Sequence, residues 1–463
     1  MTTRNTTRPN VVVFFTDQQR WDTTGVHGNP LGLTPNFDRM AQRGTDVHYS
    51  FTCQPVCGPA RSCLQTGMYA TNTGVFRNGL TLQPDAVTLA RCFQQAGYAT
   101  GYIGKWHLAS RDPVPPAERG GYESWLASNV LEFTSDAYDT VMFDGDGKPV
   151  KLPGYRVDAV TDAAIRYVDA HQADPFFLFI SYIEPHHQNH IDDYPPPDGY
   201  RAQYTGRWTP PDLAALGGSS GQHLGGYYGM VKRLDEALGR LLDALRSLGL
   251  SDDTVVLFTS DHGNHFKTRN GEYKRSCHES SIRVPTAFCG PGFHGRGRLN
   301  QLVSLVDLPP TLLDAAGLPV PASMEGRSIL PLLRGQAADW PEEVFIQISE
   351  SQVGRAVRTR RWKYSVSAPD RSGWEAPGAE RYVEEFLYDL AADPYELNNL
   401  VALDAYAEVK ADLRGRLLRH MAAAGESPPL IDEATAQASG QRMTSISTVR
   451  QRYLADLDMT QRA

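Results

Sequence analysis

Four short apolar runs, each ending in polar or charged residues, set narrow limits on how this chain can fold. The runs are residues 11–16, 100–104, 176–182 and 254–260, and they lead into Asp17-Gln18, Lys105-Trp106-His107, Glu184-Pro185-His186-His187 and Asp261-His262-Gly263. Apolar runs of this length, rich in Val, Ile and Phe, are typical of strands that are buried on both faces, as in a parallel sheet. A sheet of this kind needs a covering layer on each face, so helices are expected between the runs.

Helical periodicity is present between these runs. From residue 227 to 248, apolar side chains recur at steps of three and four, which is one stripe of an amphipathic helix. Residues 88–96 and 158–171 have shorter versions of the pattern. The alternation predicts a doubly wound, mostly parallel α/β sheet, in which ligands bind beyond the carboxyl ends of the strands. The polar residues that follow the four runs are expected at those ends.

The pattern changes near Gly335. Residues 344–349, 355–359 and 362–366 are short candidate strands, and residues 404–424 are a candidate helix. We therefore predict a large α/β domain over residues 1–335, a smaller C-terminal α+β subdomain over residues 336–426 and a polar C-terminal tail over residues 427–463.

Composition excludes several classes of function. A net charge of −8 gives no general attraction to nucleic acid or to anionic membranes. Six cysteines in 463 residues are too few for a disulfide-based secreted scaffold. The polar N-terminus is followed by an apolar run of only five residues, residues 11–15, which is too short for a signal peptide or a membrane span. We expect a cytoplasmic protein as the sequence is written, or a periplasmic or secreted one if a leader has been removed.

Two dipeptides at predicted strand ends suggest a metal site. Asp17-Gln18 and Asp261-His262 offer three oxygen-bearing side chains and one imidazole, a set that suits calcium, magnesium or manganese. The simpler interpretation is that each aspartate caps the following loop, and for either dipeptide alone we would favour it. Their joint occurrence on strands that flank the loop around Cys57 favours the metal site.

The run Cys57-Gly58-Pro59-Ala60-Arg61, closed by Thr66-Gly67, carries the strongest functional signal. A lone cysteine is most often a buried structural residue. This pattern, however, resembles the signature of the type I, formylglycine-dependent sulfatases of the alkaline phosphatase superfamily. The resemblance implies an alkaline-phosphatase-like fold, conversion of Cys57 to 3-oxoalanine (formylglycine) by a maturation enzyme, and one divalent metal. Calcium is the preferred ion, with manganese or magnesium as alternatives.

The same resemblance assigns further residues. It implies metal ligands at Asp17, Gln18, Cys57, Asp261 and His262, and catalytic roles for Cys57, Arg61, Lys105, His107, His186, Asp261 and Lys274. In this family, the lysine of Gly104-Lys105-Trp106-His107 contacts sulfate oxygens and its histidine contacts the formylglycine. His186 faces the ester oxygen and is the candidate acid that protonates the leaving alcohol, with Lys274 as the alternative. Lys274 is also a second clamp on sulfate, and Asp261 is the candidate base. Gln18, where many relatives have a second aspartate, removes one negative charge from the site.

Four further residues are weaker candidates for substrate contacts. Arg77 and Asn78 follow the Cys57 loop, and they either touch the leaving group or hold that loop in place. Arg269 and His278 belong to a loop that also contains Lys274, and this loop is either a basic rim for an anionic sugar or a solvated surface segment.

These residues predict a hydrolase of sulfate monoesters, with a sulfated carbohydrate preferred as substrate and aryl sulfates as artificial substrates. A phosphonate monoester hydrolase or phosphodiesterase on the same scaffold is the nearest alternative, since such relatives share the Asp-Gln and Asp-His metal set. The cations at Arg61, Lys105 and Lys274 favour a terminal group with three free oxygens. A non-catalytic binder of sulfated glycans is a third possibility, which requires an unmodified Cys57 or a lost metal site. The sequence does not specify the oligomeric state.

Overall fold

The computed structural model of the protein describes residues 8–336 and 339–434, which fold around two sheets. The larger sheet contains β1 (Asn10–Thr16), β2 (Thr45–Phe51), β3 (Ala99–Lys105), β4 (Ser124–Ser128), β5 (Thr140–Phe143), β6 (Pro149–Leu152), β7 (Phe176–Ser181), β8 (Thr254–Ser260), β9 (Ala287–Cys289) and β10 (Gly297–Ser304). The smaller sheet contains β11 (Glu343–Ile348), β12 (Val353–Thr359), β13 (Trp362–Ala368), β14 (Arg381–Asp389) and β15 (Leu430–Asp432).

Helices cover both faces of the larger sheet and one side of the smaller sheet. They are α1 (Pro35–Arg43), α2 (Cys57–Thr66), α3 (Ala70–Thr73), α4 (Leu89–Gln95), α5 (Leu131–Thr134), α6 (Arg156–Ala170), α7 (Tyr200–Tyr204), α8 (Pro211–Ala215), α9 (Ser220–Ser247), α10 (Glu279–Ile282), α11 (Leu308–Ala315), α12 (Leu330–Leu333) and α13 (Ala407–Ala423). Within the described ranges, no helix is both long and apolar enough to cross a membrane.

The larger sheet has the strand order β10-β2-β9-β8-β1-β7-β3-β4-β5-β6. The four strands predicted from the apolar runs are neighbours at its centre and run parallel to one another. Antiparallel pairs occur only where β9 meets its neighbours and in the edge strands β5 and β6. This architecture confirms the predicted alkaline-phosphatase-like, doubly wound and mostly parallel α/β fold with a separate C-terminal sheet.

The central strands are continuous apolar runs because both faces of the sheet are covered. Along β1, the side chains of Val11, Val13 and Phe15 enter one hydrophobic core, while Val12 and Phe14 enter the core on the opposite face. Every residue of β1 is buried. Alternate residues of one strand therefore stabilise two separate layers.

The long helix α9 begins seven residues earlier than the periodicity predicts, at Ser220 instead of residue 227. Its first turns contain Gly225, Gly226 and Gly229, which interrupt the apolar stripe in the sequence. These glycines allow close packing: a Cβ on Gly226 would lie 2.2 Å from the backbone oxygen of Tyr194. The helix thus continues where side-chain periodicity gives no signal.

The predicted strands and helix of the C-terminal region are present as β11, β12, β13 and α13, and the structure adds β14 and β15. Strand β15 pairs in parallel with β14, so the smaller sheet extends beyond residue 426, where the sequence predicts a tail. The predicted boundary near Gly335 lies between α12 and β11. Residues 435–463 of the predicted tail lie outside the described residues.

Candidate active site

Polar side chains from two strand ends and one helix start meet beyond the carboxyl edge of the central strands. Asp17 follows β1, Asp261 and His262 follow β8, and Cys57 is the first residue of α2. One donor atom from each of these four buried residues lies within 4.8 Å of the other three. The Cys57 Sγ is 3.5 Å from Asp17 Oδ1 and 3.3 Å from His262 Nε2. The predicted convergence of these residues is therefore observed in the fold.

The backbone conformation and the buried side-chain amide of Gln18 are consistent with a metal ligand. Its backbone has φ of 69°, which is uncommon for a residue with a side chain, and its N–H donates to Asp261 Oδ1 over 2.9 Å. Both polar atoms of its side-chain amide are buried and have no hydrogen-bond partner among the described residues. A bound cation would satisfy the amide oxygen, so the geometry fits the proposed metal-binding role.

The hydrogen bonds of His262 favour the tautomer that a metal needs. Its Nδ1 lies 2.9 Å from the backbone oxygen of Gly263, so Nδ1–H donates to this carbonyl and Nε2 keeps its lone pair. Nε2 is the nitrogen that faces Cys57 and Asp17. Burial, opposed by the neighbouring Asp261, lowers the pKa of His262 to about 4, so the imidazole is neutral near pH 7.

The two aspartates differ in their electrostatic environment. Burial and the charge of Asp17 raise the pKa of Asp261 to about 7. Burial disfavours the charge of Asp17 too, but Lys105, His186 and Arg61 outweigh this effect and hold its pKa well below the usual range. Two carboxylates this close repel each other, and a divalent cation between them would favour the ionised form of both.

Helix α2 fixes Cys57 and Arg61 relative to each other. All ten residues of this helix are buried, and Arg61 lies one turn after Cys57. The guanidinium donates to Asp17 Oδ2 over 2.9 Å and to Ser181 Oγ over 2.6 Å, at the end of β7. Arg61 is thereby a fixed cation beside the cysteine, as the sequence predicts.

Lys105 is fully buried between two carboxylates. Its Nζ lies 2.9 Å from Asp17 Oδ2 and 2.9 Å from Glu132 Oε1. The strand brings the lysine here because Gly104 precedes it: with φ of 112°, a Cβ on Gly104 would lie 1.9 Å from the backbone oxygen of Ser181. Glu132 comes from the four-residue helix α5, and no sequence pattern singled it out.

Lys274 and His186 complete the group around the cysteine. Lys274 Nζ lies 2.8 Å from Cys57 Sγ and 3.2 Å from His186 Nε2. The Nδ1 of His186 lies 2.6 Å from the backbone oxygen of His187, so Nδ1–H donates there and Nε2 accepts from the lysine. Burial and the charge of Lys274 hold the pKa of His186 well below its usual range.

His107 and Asn78 lie beside Gly58, the residue that follows the cysteine. A Cβ on Gly58 would be 3.0 Å from Asn78 Oδ1 and 3.3 Å from the backbone oxygen of His107, so both residues contact the start of α2. Asn78 Oδ1 accepts the Gly58 N–H over 2.9 Å. Burial and the charge of Lys105 lower the pKa of His107 to about 3. Of the two alternatives for Asn78, this contact supports the one in which it holds the nucleophile loop.

Arg77 is half-buried, and its side chain turns back on its own loop. Its guanidinium donates to the backbone oxygen of Asn78 over 2.9 Å and lies 5.9 Å from the ring centroid of Phe76. These contacts again favour a role in holding the loop.

Arg269 and His278 are not brought to the cysteine. The Arg269 guanidinium donates to the backbone oxygens of Tyr395 and Glu396 over 2.7 and 2.9 Å. The imidazole of His278 is buried 3.1 Å from the Tyr388 hydroxyl, on β14. Neither alternative for this loop, a basic rim or a solvated surface, describes these two side chains. Arg269 contacts the loop after β14 and His278 contacts β14 itself, so both join the large domain to the C-terminal subdomain.

Comparison with known proteins agrees with this geometry. The Sulfatase family profile matches residues 9–318, and the profile of the C-terminal part of N-sulphoglucosamine sulphohydrolase matches residues 271–423. The chain belongs to the sulfatase family of the alkaline phosphatase superfamily, and it is a sulfatase, an enzyme that hydrolyses sulfate esters.

Two curated relatives and one solved structure illustrate the similarity. An ulvan-active sulfatase of Formosa agariphila is 29% identical over 440 residues, which cover 91% of this chain and 82% of the relative. An N-acetylglucosamine-6-O-sulfatase of Bacteroides thetaiotaomicron is 27% identical over 88% of this chain and 85% of its own length. A structure solved in complex with its substrate, D-glucosamine-2-N,6-O-disulfate, superposes with a TM-score of 0.76 at 25% identity, and the match covers 91% of this chain and 99% of that one.

Proposed function

We propose that this sulfatase hydrolyses sulfate monoesters of a saccharide, with Cys57 oxidised to formylglycine as the nucleophile and one divalent cation beside it. One observation carries the proposal: three metal-type donor groups, those of Asp17, Asp261 and His262, surround Cys57 at the start of α2, and the cations of Arg61, Lys105 and Lys274 contact this cluster. A sulfate monoester presents three free oxygens, and this number of positive groups suits it better than it suits a diester.

The side chains that would hold the cation are Asp17, Gln18, Asp261, His262 and the oxidised Cys57. The set is dominated by oxygen donors, which favours calcium over softer ions, with magnesium and manganese as alternatives. The cation would neutralise charge on the sulfate oxygens and polarise the ester for attack. The two buried carboxylates and the orphaned amide of Gln18 support its presence.

The protein's own groups account for proton movement. The hydrated aldehyde of residue 57 carries two hydroxyls on one carbon, so one can attack sulfur and the other can later expel sulfate. Asp261 is the candidate base for the attacking hydroxyl, because its carboxylate lies in the same cluster as residue 57. His186 is the first candidate acid from the sequence, but its lowered pKa favours the alternative, Lys274, as the group that protonates the departing alcohol. His186 then positions the Lys274 side chain through their 3.2 Å contact.

The saccharide is proposed from the relatives. The two curated relatives named above are an ulvan-active enzyme and an N-acetylglucosamine-6-O-sulfatase, and the structural neighbour holds a disulfated glucosamine. A sulfated sugar is therefore the substrate class we propose, and aryl sulfates are convenient artificial substrates. Maturation of Cys57 requires a formylglycine-generating enzyme as partner.

The decisive test compares two substrates on one preparation, coexpressed with a formylglycine-generating enzyme. We would measure kcat/KM for an aryl sulfate and for an aryl phosphonate monoester, and determine by mass spectrometry whether residue 57 is oxidised. A clear preference for the sulfate supports the proposal. A preference for the phosphonate would refute it and would indicate a phosphonate monoester hydrolase instead.

Two variants complete this test. Cys57→Ala should abolish turnover and leave the circular dichroism spectrum unchanged, and a variant that retains most of the activity would refute the proposed nucleophile. Lys105→Ala should lose more sulfatase than diesterase activity, because the lost cation faces the additional free oxygen of a monoester. Equal losses would remove this reason for preferring sulfate.

A further inference from the structure

A second cluster of metal-type ligands lies on β2, the strand that leads into the Cys57 loop. Asp46 and His48 are two residues apart on this strand and therefore project from the same face. His27 joins them from the short helical turn Gly25–His27 that follows β1. One ligand atom from each of the three residues lies within 4.8 Å of the other two.

The three ligand atoms are buried and unsatisfied. His27 Nε2, Asp46 Oδ1 and His48 Nδ1 have no hydrogen-bond partner in the part of the chain that the structure describes. The side chains of His27 and Asp46 are 0% and 6% exposed. His27 Nε2 is 3.8 Å from Asp46 Oδ1, and His48 Nδ1 is 3.7 Å from Asp46 Oδ2, which are longer than hydrogen bonds. Buried polar atoms of this kind usually have a partner, and three that face one another suggest a shared one.

Hydrogen bonding prepares His27 for a metal. The Thr24 hydroxyl donates to the backbone oxygen of Trp21, so its oxygen is free to accept the Nδ1–H of His27, which lies 2.6 Å away. This tautomer leaves the lone pair on Nε2, the atom that faces Asp46. A second-sphere hydrogen bond to the remote ring nitrogen is characteristic of histidines that bind metals.

We propose that His27, Asp46 and His48 form a second metal site, which binds a divalent transition ion of the zinc class. Two imidazoles and one carboxylate are the donors that zinc prefers, and a water would take the fourth position. In a tetrahedral zinc site, adjacent ligand atoms are about 3.3 Å apart, so small side-chain rotations would bring the three together. The site differs in chemistry from the oxygen-rich cluster around Cys57.

A metal here would link two parts of the fold. The turn with His27 lies on the segment that leaves β1 through Asp17, and the strand with Asp46 and His48 leads to Cys57. Arg298, on the adjacent strand β10, already spans this junction: it donates to Asp46 Oδ2 over 3.0 Å and to the backbone oxygen of Val26 over 3.0 Å. The ion would therefore stabilise the two segments that supply the proposed nucleophile and one ligand of the other cluster.

The experiment uses Co²⁺ as a spectroscopic probe on the full chain, freed of metal by a chelator and resupplied with excess Ca²⁺. We expect visible absorption bands of four-coordinate cobalt at a stoichiometry of one ion per chain, and their loss when Zn²⁺ displaces the probe. His48→Gln should abolish the bands. His294→Gln, which removes an exposed histidine, and Asp17→Asn, which alters the other cluster, should keep them.

The cobalt bands of His48→Gln could also be lost because the variant misfolds, so a second variant that should bind metal more tightly is included. Arg298→Gln removes the cation that competes for Asp46, so it should bind Zn²⁺ several-fold more tightly than the wild type. Thr24→Val should weaken binding by roughly tenfold, because the orienting bond to Nδ1 is lost. The proposal is overturned if the wild type gives no such bands, if His48→Gln retains them, or if Arg298→Gln does not bind Zn²⁺ more tightly. None of these results depends on sulfatase activity, so the inference and the proposed function can fail separately.

Discussion

Replacement of Glu132 by glutamine tests whether the charge of this residue holds Lys105 in position in the active site. Glu132 is buried, and its Oε1 lies 2.9 Å from the ammonium of Lys105, which also contacts Asp17 over 2.9 Å. Glutamine preserves the size of the side chain and an acceptor oxygen but removes one negative charge. The variant therefore isolates the contribution of that charge to the position of Lys105.

The expected change in the free energy of unfolding follows from the distance between Glu132 and Lys105. Two unit charges 2.9 Å apart interact by about 6 kcal/mol at an effective dielectric constant of roughly 20. Desolvation of the Glu132 carboxylate offsets much of this energy, although Lys105 still holds the pKa of Glu132 below its usual value. Because Lys105 retains Asp17, we expect the free energy of unfolding to fall by only about 2 kcal/mol.

The kinetic expectation is a change in kcat without an increase in KM. Lys105 would be held by Asp17 alone, and a misplaced sulfate clamp should lower kcat about tenfold, or roughly 1.4 kcal/mol of transition-state stabilisation. The KM for an aryl sulfate should stay constant or fall, since the site has lost a negative charge near an anionic substrate.

Urea unfolding and steady-state kinetics with an aryl sulfate would measure both effects, with Glu375→Gln as an exposed carboxylate control. If Glu132→Gln keeps the wild-type kcat, or if KM rises while kcat is unchanged, then Glu132 does not position Lys105 and the argument is refuted.

Two further variants test the support of the nucleophile and the acid stability of the fold. Asn78→Ala removes the acceptor of the Gly58 N–H at the start of α2, so it should lose about 1 kcal/mol of stability in urea unfolding and several-fold in kcat. Asn78→Asp, which keeps the acceptor, should restore most of both, and a failure to do so would argue against the capping role. Burial lowers the pKa of His265 to about 3, whereas an unfolded histidine takes up a proton near pH 6.5, so stability falls as pH decreases through that value. Between pH 7 and pH 5 this residue should account for about 2 kcal/mol of lost stability, and His265→Gln should therefore be less sensitive to acid in urea unfolding at the two pH values; an identical pH dependence would contradict the assignment.

The sequence alone determined the central sheet and the identity of the residues that surround Cys57. Each central strand is a continuous apolar run, and the pairs Asp17-Gln18 and Asp261-His262 follow directly after β1 and β8, so local pattern and topology together predict where these side chains meet. The helical signal was absent for α1 and α11, and it failed at the start of α9, where glycines replace apolar side chains. At that point the glycines allow the helix to pack closely against a neighbouring backbone, and the sequence shows no apolar stripe.

Only the tertiary structure decided the partners of these residues. Glu132 meets Lys105 across a separation of 27 residues, and Arg269 reaches Glu396 across 127, contacts that no short motif encodes. The cluster of His27, Asp46 and His48 is likewise formed by a turn and a strand in which the sequence analysis found no metal-binding motif. The physical reason is that strand and helix patterns reflect burial along a single element, whereas ion pairs and metal sites depend on how separate elements are oriented in space.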